Sequence, residues 1–380
     1  MNRIKSRNSN IELLRIIAML MVVSHHLVVH CIGPQFINLI PSLDFRSIAS
    51  PEVIDQLCKK HFILSVFYSF GKIANAVFIL ISGFFLAAKT QDSQSSVRLI
   101  KVSKKLLSQS AFAAVVITLL STFVFLTFPE LKTTAFSIDI FNNMSWFVGY
   151  YFSIILISEL FLNRFLGKAS KEMYLAFLLI LFSLTQFKWT GILLDTVASG
   201  FRSYLTGIFL FSFGGFIRKY DPLSKVRLPC FLAVILIGFY FIFLSSRNQV
   251  LTPYSNFIGN PDISVFSFGI TNFPEYNILI ILFGVSLFEL FRRIKLVSIK
   301  AINYLSSATF MVYLIHDNAF FYSIWNTQNW APLLAEDLFG FFTKLCLWVF
   351  AVFVVGVLSY LVFDAVSKLC KKFAWVILRE

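Results

Sequence analysis

Charged side chains are scarce in this chain of 380 residues. Asp, Glu, Lys and Arg together make up 14% of the sequence, whereas 58% of the residues are hydrophobic and 17% are aromatic. A soluble domain normally carries charge on about a quarter of its residues. The composition therefore excludes a soluble globular protein and indicates an integral membrane protein.

Other features that mark particular classes of protein are also missing. The first apolar segment lacks a small-residue cleavage site, so we expect it to remain as a helix. There is no internal repeat and no appended soluble block. We therefore expect one membrane domain over residues 1–380, in which residues 1–10 are a cytoplasmic segment and residues 366–380 lie along the inner interface.

The five cysteines form no CxxC motif and show no metal-ligand spacing, so we expect no metal site. Cys31 and Cys58 share a predicted external loop and can pair there. Two separate thiols are the preferred interpretation.

Long apolar segments recur from one end of the chain to the other. A membrane-spanning helix needs roughly 20 mostly apolar residues, and this criterion predicts about ten such helices in an all-α helical bundle. The predicted segments are 11–31, 62–88, 104–128, 145–165, 172–188, 201–218, 229–245, 276–291, 301–324 and 340–365.

Acidic residues are fewer than basic ones, 19 against 33, which gives a formal net charge of +14. The basic residues fall in short segments before the first predicted helix and after every second one. This is the pattern of cytoplasmic loops in membrane proteins, so it predicts that both termini are cytoplasmic. We therefore expect a multi-pass membrane protein whose partner is the lipid bilayer and not a nucleic acid. The abundance of Phe, Ile, Lys and Asn suggests a bacterial source, so the expected location is the bacterial plasma membrane.

The first predicted helix carries an arginine and three histidines, in the stretch RIIAMLMVVSHHLVVH at residues 15–30. Arg15 and His26 are eleven residues apart, a separation that places them on nearly the same face of a helix. Measured along the helix axis from its entry near Ile11, Arg15 would lie at about 6 Å and His26 at about 22 Å. A guanidinium near the cytoplasm can hold a phosphate, and a buried neutral imidazole can act as a base.

A structural interpretation of these residues stays open. Arg15 can extend to the interface or pair with Glu12, and the histidines can bond to neighbouring helices.

The stretch NIELLRIIAMLMVVSHH at residues 10–26 resembles the first helix of the acyltransferase type 3 family, in which an arginine, ten residues and a histidine follow one another. Further stretches resemble family segments in the family's order. They are AVFILISGFFL (76–86), RLIKVSKKLL (98–107), SWFVGYYFSIILISELF (145–161) and LSSATFMVYLIHDN (305–318).

The sequence departs from the family pattern at two places. Glu159 stands where relatives often have proline, and Lys104 and Lys105 stand where many have arginine. These departures concern donor or acceptor details. The chain also lacks the extracellular hydrolase-like domain that is fused to some members, so we expect it to pass the acyl group directly to its acceptor.

The resemblance implies an O-acetyltransferase that uses acetyl-CoA as acyl donor. Arg15 and a basic loop would hold the nucleotide phosphates while the pantetheine arm reaches His26. His26 would either deprotonate the acceptor hydroxyl or carry the acetyl group itself. The residues of the expected basic loop are Arg98, Lys101, Lys104 and Lys105.

Other residues are expected to complete the site. His316 is a candidate second base, proton relay or acceptor ligand, although a structural helix-end histidine is the alternative. Asp317 can orient an imidazole. Asn75, Trp146 and Tyr313 are candidate substrate-binding residues.

The acceptor is expected to be a glycan or lipid-linked glycan of the cell envelope or an extracellular polysaccharide, and envelope polysaccharide synthesis proteins are expected partners. A succinyl donor is an alternative. A transporter or flippase of a glycan or lipid intermediate also fits buried charge in about ten helices, although paired repeats and broken helices are missing. A non-catalytic envelope sensor is the third interpretation, and it would tolerate loss of His26.

Overall fold

A computed structural model describes residues 8–39, 50–87, 95–129, 146–187, 195–260, 262–263, 265–294 and 298–377. Within these ranges the regular structure is helical and contains no strand. The predicted all-α polytopic membrane protein is thus confirmed.

The helices follow one another closely along the described chain. They are α1 (Ser9–Leu27), α2 (Gly33–Leu39), α3 (Pro51–Leu86), α4 (Ser95–Thr127), α5 (Trp146–Ile157), α6 (Asn163–Lys168), α7 (Lys171–Gln186), α8 (Asp195–Tyr220), α9 (Leu228–Gly259), α10 (Ile278–Arg293), α11 (Lys300–His316), α12 (Ala319–Asn326), α13 (Ala331–Glu336) and α14 (Leu338–Ile377). Two π-helical turns join consecutive helices, Val28–Ile32 between α1 and α2 and Ser158–Leu162 between α5 and α6.

Six helical stretches in the described residues are long and apolar enough to cross a membrane. They are Ser9–Leu39, Pro51–Leu86, Leu99–Thr127, Trp146–Lys168, Leu228–Gly259 and Leu338–Lys372. The four other predicted segments also contain helices, namely α7, α8, α10 and α11. Three of these have only 16 or 17 residues, and α8 carries Arg202, Arg218 and Lys219, so the count of ten spans stays a prediction.

The two helices that carry most of the site begin with clear capping signals. The Asn8 side chain accepts a hydrogen bond from the Asn10 amide at the start of α1, over 3.1 Å. The Ser50 hydroxyl accepts one from the Val53 amide at the start of α3, where Pro51 occupies the first turn. Such caps satisfy amides that lack a partner inside the helix and so fix where each helix begins.

Helices α1 and α3 form the centre of the protein. In their most apolar windows, 72% and 61% of the residues are buried, against 17% for α4 and α9. Helix α3 packs against α1, α8, α9 and α10, and α1 also packs against α11. The central position of α1 explains why its ionisable residues lie inside the protein.

Glycines permit the close crossing of α3 and α8. A Cβ at Gly83 would overlap the backbone of Phe211, and a Cβ at Gly214 would overlap the carbonyl oxygen of Leu80. Only a residue without a side chain allows the two backbones to approach so closely. Gly83 is therefore a packing residue at this crossing.

Some segments that the sequence assigned to loops are helical. The predicted outer loop after the first span contains α2 and the start of α3, and α9 continues to Gly259 where the prediction ended near residue 245. The basic segment that contains Arg98, Lys101, Lys104 and Lys105 is the beginning of α4 and not a loop. Its apolar residues recur at helical spacing without proline or glycine, which favours a helix over a loop.

The C-terminal segment is also helical. Helix α14 runs on to Ile377 and thus includes most of residues 366–380, which were expected to lie along the inner interface. Cys31 and Cys58 are both buried free thiols.

Replacing Gly83 by alanine should destabilise the protein, because the added methyl group overlaps the backbone of Phe211. Overpacking of this kind typically costs about 1–3 kcal/mol. Gly149→Ala is the matched control, since a Cβ there meets nothing within 4 Å. Thermal unfolding in detergent should show a lower transition temperature for Gly83→Ala than for Gly149→Ala, and equal temperatures would contradict the close crossing.

Candidate active site

Two histidines from separate helices meet inside the protein. His26 lies in the last turn of α1 with 8% of its surface exposed, and His316 is the fully buried last residue of α11. His26 Nδ1 is 3.0 Å from His316 Nε2, and the two rings stack with centroids 5.1 Å apart. Residues 290 positions apart in sequence thus form one hydrogen-bonded pair.

The hydrogen bonds of this pair define where the protons lie. His316 Nδ1 is 2.8 Å from the carbonyl oxygen of Val312, which can only accept, so Nδ1 carries the hydrogen. In the neutral ring His316 Nε2 is then an acceptor, and His26 Nδ1 must donate to it. The lone pair of neutral His26 is consequently at Nε2, which has no hydrogen-bond partner within the described part of the chain.

The break between α11 and α12 brings a carboxyl group to the pair. Helix α11 ends at His316, and the Asn318 side chain caps α12 by accepting from the Phe321 amide. Asp317, between them, places Oδ1 3.6 Å from His26 Nδ1 and accepts a hydrogen bond from the Tyr322 hydroxyl at 2.5 Å. Asp317 can therefore stabilise a positive charge on His26.

His26 lines a cavity of about 200 Å³, named here the His26 cavity. It lies among α1, α3 and the start of α5. Its lining comprises Val22, His25, His26, Val29, His30, Gly71, Lys72, Asn75, Trp146, Phe147, Asn272 and Tyr313.

A second cavity of about 300 Å³ contains Arg15 and is named here the Arg15 cavity. Its polar lining residues are Arg15, Asn75, Ser82, Lys105, Gln109, Tyr151, Ser306, Ser307, Thr309 and Tyr313. Four residues, Val22, Asn75, Phe147 and Tyr313, belong to the walls of both cavities. The two cavities are therefore neighbours, separated by a common wall.

Arg15 is fixed by a buried acid. Its guanidinium is 3.2 Å from Glu12 Oε2, which also accepts a hydrogen bond from the Ser306 hydroxyl. This is the pairing that the structural interpretation of Arg15 anticipated. The Arg15 side chain nevertheless keeps 30% exposure and lines the Arg15 cavity, so an anion in the cavity can still reach it.

Arg218 is a cation that shares a ring contact with Arg15 and that the sequence did not single out. Its guanidinium carbon is 5.1 Å from the centre of the Phe84 ring and 5.8 Å from that of Phe85. The guanidinium carbon of Arg15 lies 5.8 Å from the same Phe85 ring. Both arginines thus contact the Phe85 ring. No sequence motif indicates this arrangement, because Arg218 lies in α8 and is far from Arg15 in the sequence.

The predicted donor-binding lysines are separated by the geometry of α4. Lys101, Lys104 and Lys105 are all exposed, but of the three only Lys105 lines the Arg15 cavity. The side chain of Arg98 lies outside the described residues. Lys104 and Lys105 are consecutive residues of one helix and therefore point in different directions, which is why one of them lines the cavity and the other does not.

The predicted substrate-binding residues lie around the cavities. Asn75 and Tyr313 belong to the common wall, and Trp146 lines the His26 cavity with 46% of its surface exposed. The Tyr313 ring contacts those of Phe147 and His316, with centroids 5.9 Å and 5.7 Å apart.

The other two histidines of the first apolar segment, His25 in α1 and His30 in the π-helical turn after it, have structural contacts. His25 Nδ1 donates to the carbonyl oxygen of Phe67 over 3.2 Å, and its ring packs on Gly71, where a side chain would collide with it. The His30 ring stacks on that of Tyr322 with centroids 4.2 Å apart. His25 therefore bonds to a neighbouring helix, as the structural interpretation of these histidines anticipated.

An ion pair that the sequence missed lies at the His26 cavity. Lys72 Nζ is 2.5 Å from Glu275 Oε1, and Glu275 Oε2 accepts from the Ser203 hydroxyl at 3.2 Å. Lys72 also lies 5.7 Å from the centre of the Trp146 ring. Burial alone would raise the pKa of the Glu275 carboxyl, but the Lys72 ammonium and these hydrogen bonds hold that pKa below its ordinary value.

These features define a polytopic membrane protein with a histidine site that lines one of two adjoining cavities. The profile of the acyltransferase type 3 family, described as an acyltransferase domain, matches residues 8–364, nearly the whole chain. The chain belongs to this family and is a membrane acyltransferase. No curated protein and no solved structure matches it.

Breaking the Lys72–Glu275 pair should destabilise the protein. Removing one partner of a buried pair costs about 3–5 kcal/mol, and we expect the lower end because the side chains keep 19% and 16% exposure. Lys72→Met and Glu275→Gln should each lower the unfolding temperature, and the double variant should lose less than the sum. Additive losses would contradict a direct pair.

The same pair should respond to acid. The pKa of the Glu275 carboxyl is lower in the folded than in the unfolded protein. Its stabilising contribution is therefore fully present above the pKa of a free glutamate, about 4.3, and is lost as the pH falls below that value. The difference in unfolding temperature between wild type and Glu275→Gln should shrink from pH 7 to pH 4, and a constant difference would contradict the assignment.

Proposed function

We propose that the protein is an O-acetyltransferase of the bacterial plasma membrane. It moves an acetyl group from cytoplasmic acetyl-CoA to a hydroxyl group of a cell-envelope or extracellular polysaccharide. The observation that carries this proposal is the position of His26, which lines one of two adjoining cavities while the other contains Arg15.

The Arg15 cavity is the proposed donor site. Arginine and lysine bind phosphate through charge-assisted hydrogen bonds, and Arg15 and Lys105 are in its wall with Arg218 beside Arg15. These cations would hold the phosphates of CoA. The pantetheine arm would then extend along the apolar side chains of the cavity toward the common wall and bring the thioester to His26.

His26 is the proposed general base. Its Nε2 takes the proton of the acceptor hydroxyl while that oxygen attacks the thioester carbonyl carbon. The carbon–sulfur bond then breaks, and the proton passes from His26 to the departing thiolate. Asp317, 3.6 Å from Nδ1, and the His316 acceptor stabilise the imidazolium in between. Transfer through an acetyl group on Nε2 itself would use the same nitrogen and would give ping-pong kinetics.

The His26 cavity is the proposed acceptor site. Trp146 offers a partly exposed aromatic face, and Asn75 and the Lys72–Glu275 pair offer hydrogen-bond donors and acceptors. A few placed polar groups beside an aromatic side chain suit a small hydroxyl-rich ligand. A glycan or lipid-linked glycan would enter here, supplied by the envelope polysaccharide synthesis proteins.

The proposal is tested by label transfer with purified protein in liposomes, using radiolabelled acetyl-CoA and a mixed envelope-glycan extract. His26→Gln keeps a polar side chain of similar length but has no basic nitrogen, so transfer should fall by about 10²–10⁴-fold, the usual contribution of a general base.

The folding control is thermal unfolding of the His26→Gln variant, which should stay close to that of wild type. Normal transfer by a folded variant would remove His26 from the mechanism. Labelled succinyl-CoA in the same assay distinguishes the alternative donor, because preferential succinyl transfer would contradict the acetyl assignment.

The neighbouring lysines of α4 test the donor site. Lys105→Gln removes a cation from the wall of the Arg15 cavity, whereas Lys104→Gln removes one that is exposed and outside it. We expect Lys105→Gln to raise the KM for acetyl-CoA about tenfold, the loss of one charged hydrogen bond, and Lys104→Gln to change it much less. Equal effects would indicate general attraction by the basic segment and would contradict the donor site.

A further inference from the structure

Gln109 is a buried polar residue that the proposed mechanism does not use. It lies in α4, is 0% exposed, and belongs to the wall of the Arg15 cavity. Both its Oε1 and Nε2 atoms are buried without a hydrogen-bond partner in the residues that the structure describes. Its neighbours on the cavity wall are Val102, Lys105 and Leu106, so one face of α4 lines the cavity.

An amide in this state costs stability. A buried donor or acceptor that makes no hydrogen bond keeps its full desolvation penalty, and an apolar side chain of the same size would avoid that penalty. The polar atoms of Gln109 therefore do not stabilise the fold. A primary amide at a cavity wall, with two N–H donors and a carbonyl acceptor, is instead available to a ligand that has both kinds of group.

We propose that Gln109 binds an amide of the pantetheine arm of the acyl donor. This inference rests on the proposed use of acyl-CoA and adds a residue to that donor site. The CoA phosphates offer mainly acceptors and suit the cations, whereas each pantetheine amide has an N–H and a carbonyl that match the two ends of a glutamine amide.

The position of Gln109 along α4 agrees with this assignment. Lys105 lies one turn nearer the beginning of the helix, about 6 Å at the usual helical rise, and both residues line the same cavity. A donor whose phosphates contact Lys105 would therefore place its arm beside Gln109. The three side-chain torsions of glutamine let the enclosed amide turn toward the arm when it enters.

The test compares two probes, CoA and adenosine 3′,5′-bisphosphate, which keeps the adenosine and its 3′- and inner 5′-phosphates but has neither the outer 5′-phosphate nor the pantetheine. Binding of each to purified wild type, Gln109→Met and Lys105→Gln is measured by calorimetry. Gln109→Met should bind CoA about tenfold more weakly, the loss of one hydrogen bond, and the bisphosphate as well as wild type does. Lys105→Gln should weaken binding of both probes.

A stability measurement separates this role from a structural one. Without ligand, Gln109→Met should unfold at the same or a higher temperature than wild type, because it removes unpaired polar atoms. Gln109→Leu is the second variant and should behave in the same way. A lower unfolding temperature for both variants, or equal losses of CoA and bisphosphate binding, would overturn the proposal.

Failure of the donor site and failure of this assignment give different results. If wild type binds neither probe, the proposed use of CoA fails, and the role of Gln109 fails with it. If wild type binds CoA and Gln109→Met binds it equally well, only the assignment of Gln109 is overturned.

Discussion

The hydrogen bond between His26 and His316 is the interaction on which the proposed chemistry of this protein depends. It begins at a backbone carbonyl, that of Val312, which fixes the proton on His316 Nδ1 and makes Nε2 an acceptor. His26 must then donate through Nδ1 and keep its lone pair on Nε2. The Val312 carbonyl on α11 thus determines which nitrogen of His26, on α1, carries the proton, as long as α1 and α11 keep their relative positions.

Several charged groups inside the bundle form ion pairs or hydrogen bonds with one another. Glu12 contacts both Arg15 and Ser306 and so joins α1 to α11, and Glu289 on α10 contacts Arg292 and Arg293. Charged groups away from water are stable only when they are paired and hydrogen-bonded. These pairs hold the site in position, and the Arg15 pair leaves part of its guanidinium open to the Arg15 cavity.

The sequence allowed prediction of the helical membrane class, the family and the importance of the first helix, because these depend on local composition and on motif spacing. It could not predict the Lys72–Glu275 pair, Arg218 beside Phe85, or the unpaired Gln109, because each depends on contacts between distant segments. The basic segment at residues 98–105 shows the same limit. Its charge was evident, but whether its lysines converge depends on the helix that the segment forms and on which side of that helix lines the cavity.

The common wall of Val22, Asn75, Phe147 and Tyr313 has a consequence for the membrane itself. An open passage wide enough for a cofactor would also conduct ions and dissipate the gradients across the bilayer. The wall puts two side chains and one aromatic pair between the two cavities. In the proposed reaction only the small acyl group has to pass this wall, so that neither the donor nor the acceptor has to be carried through the bilayer.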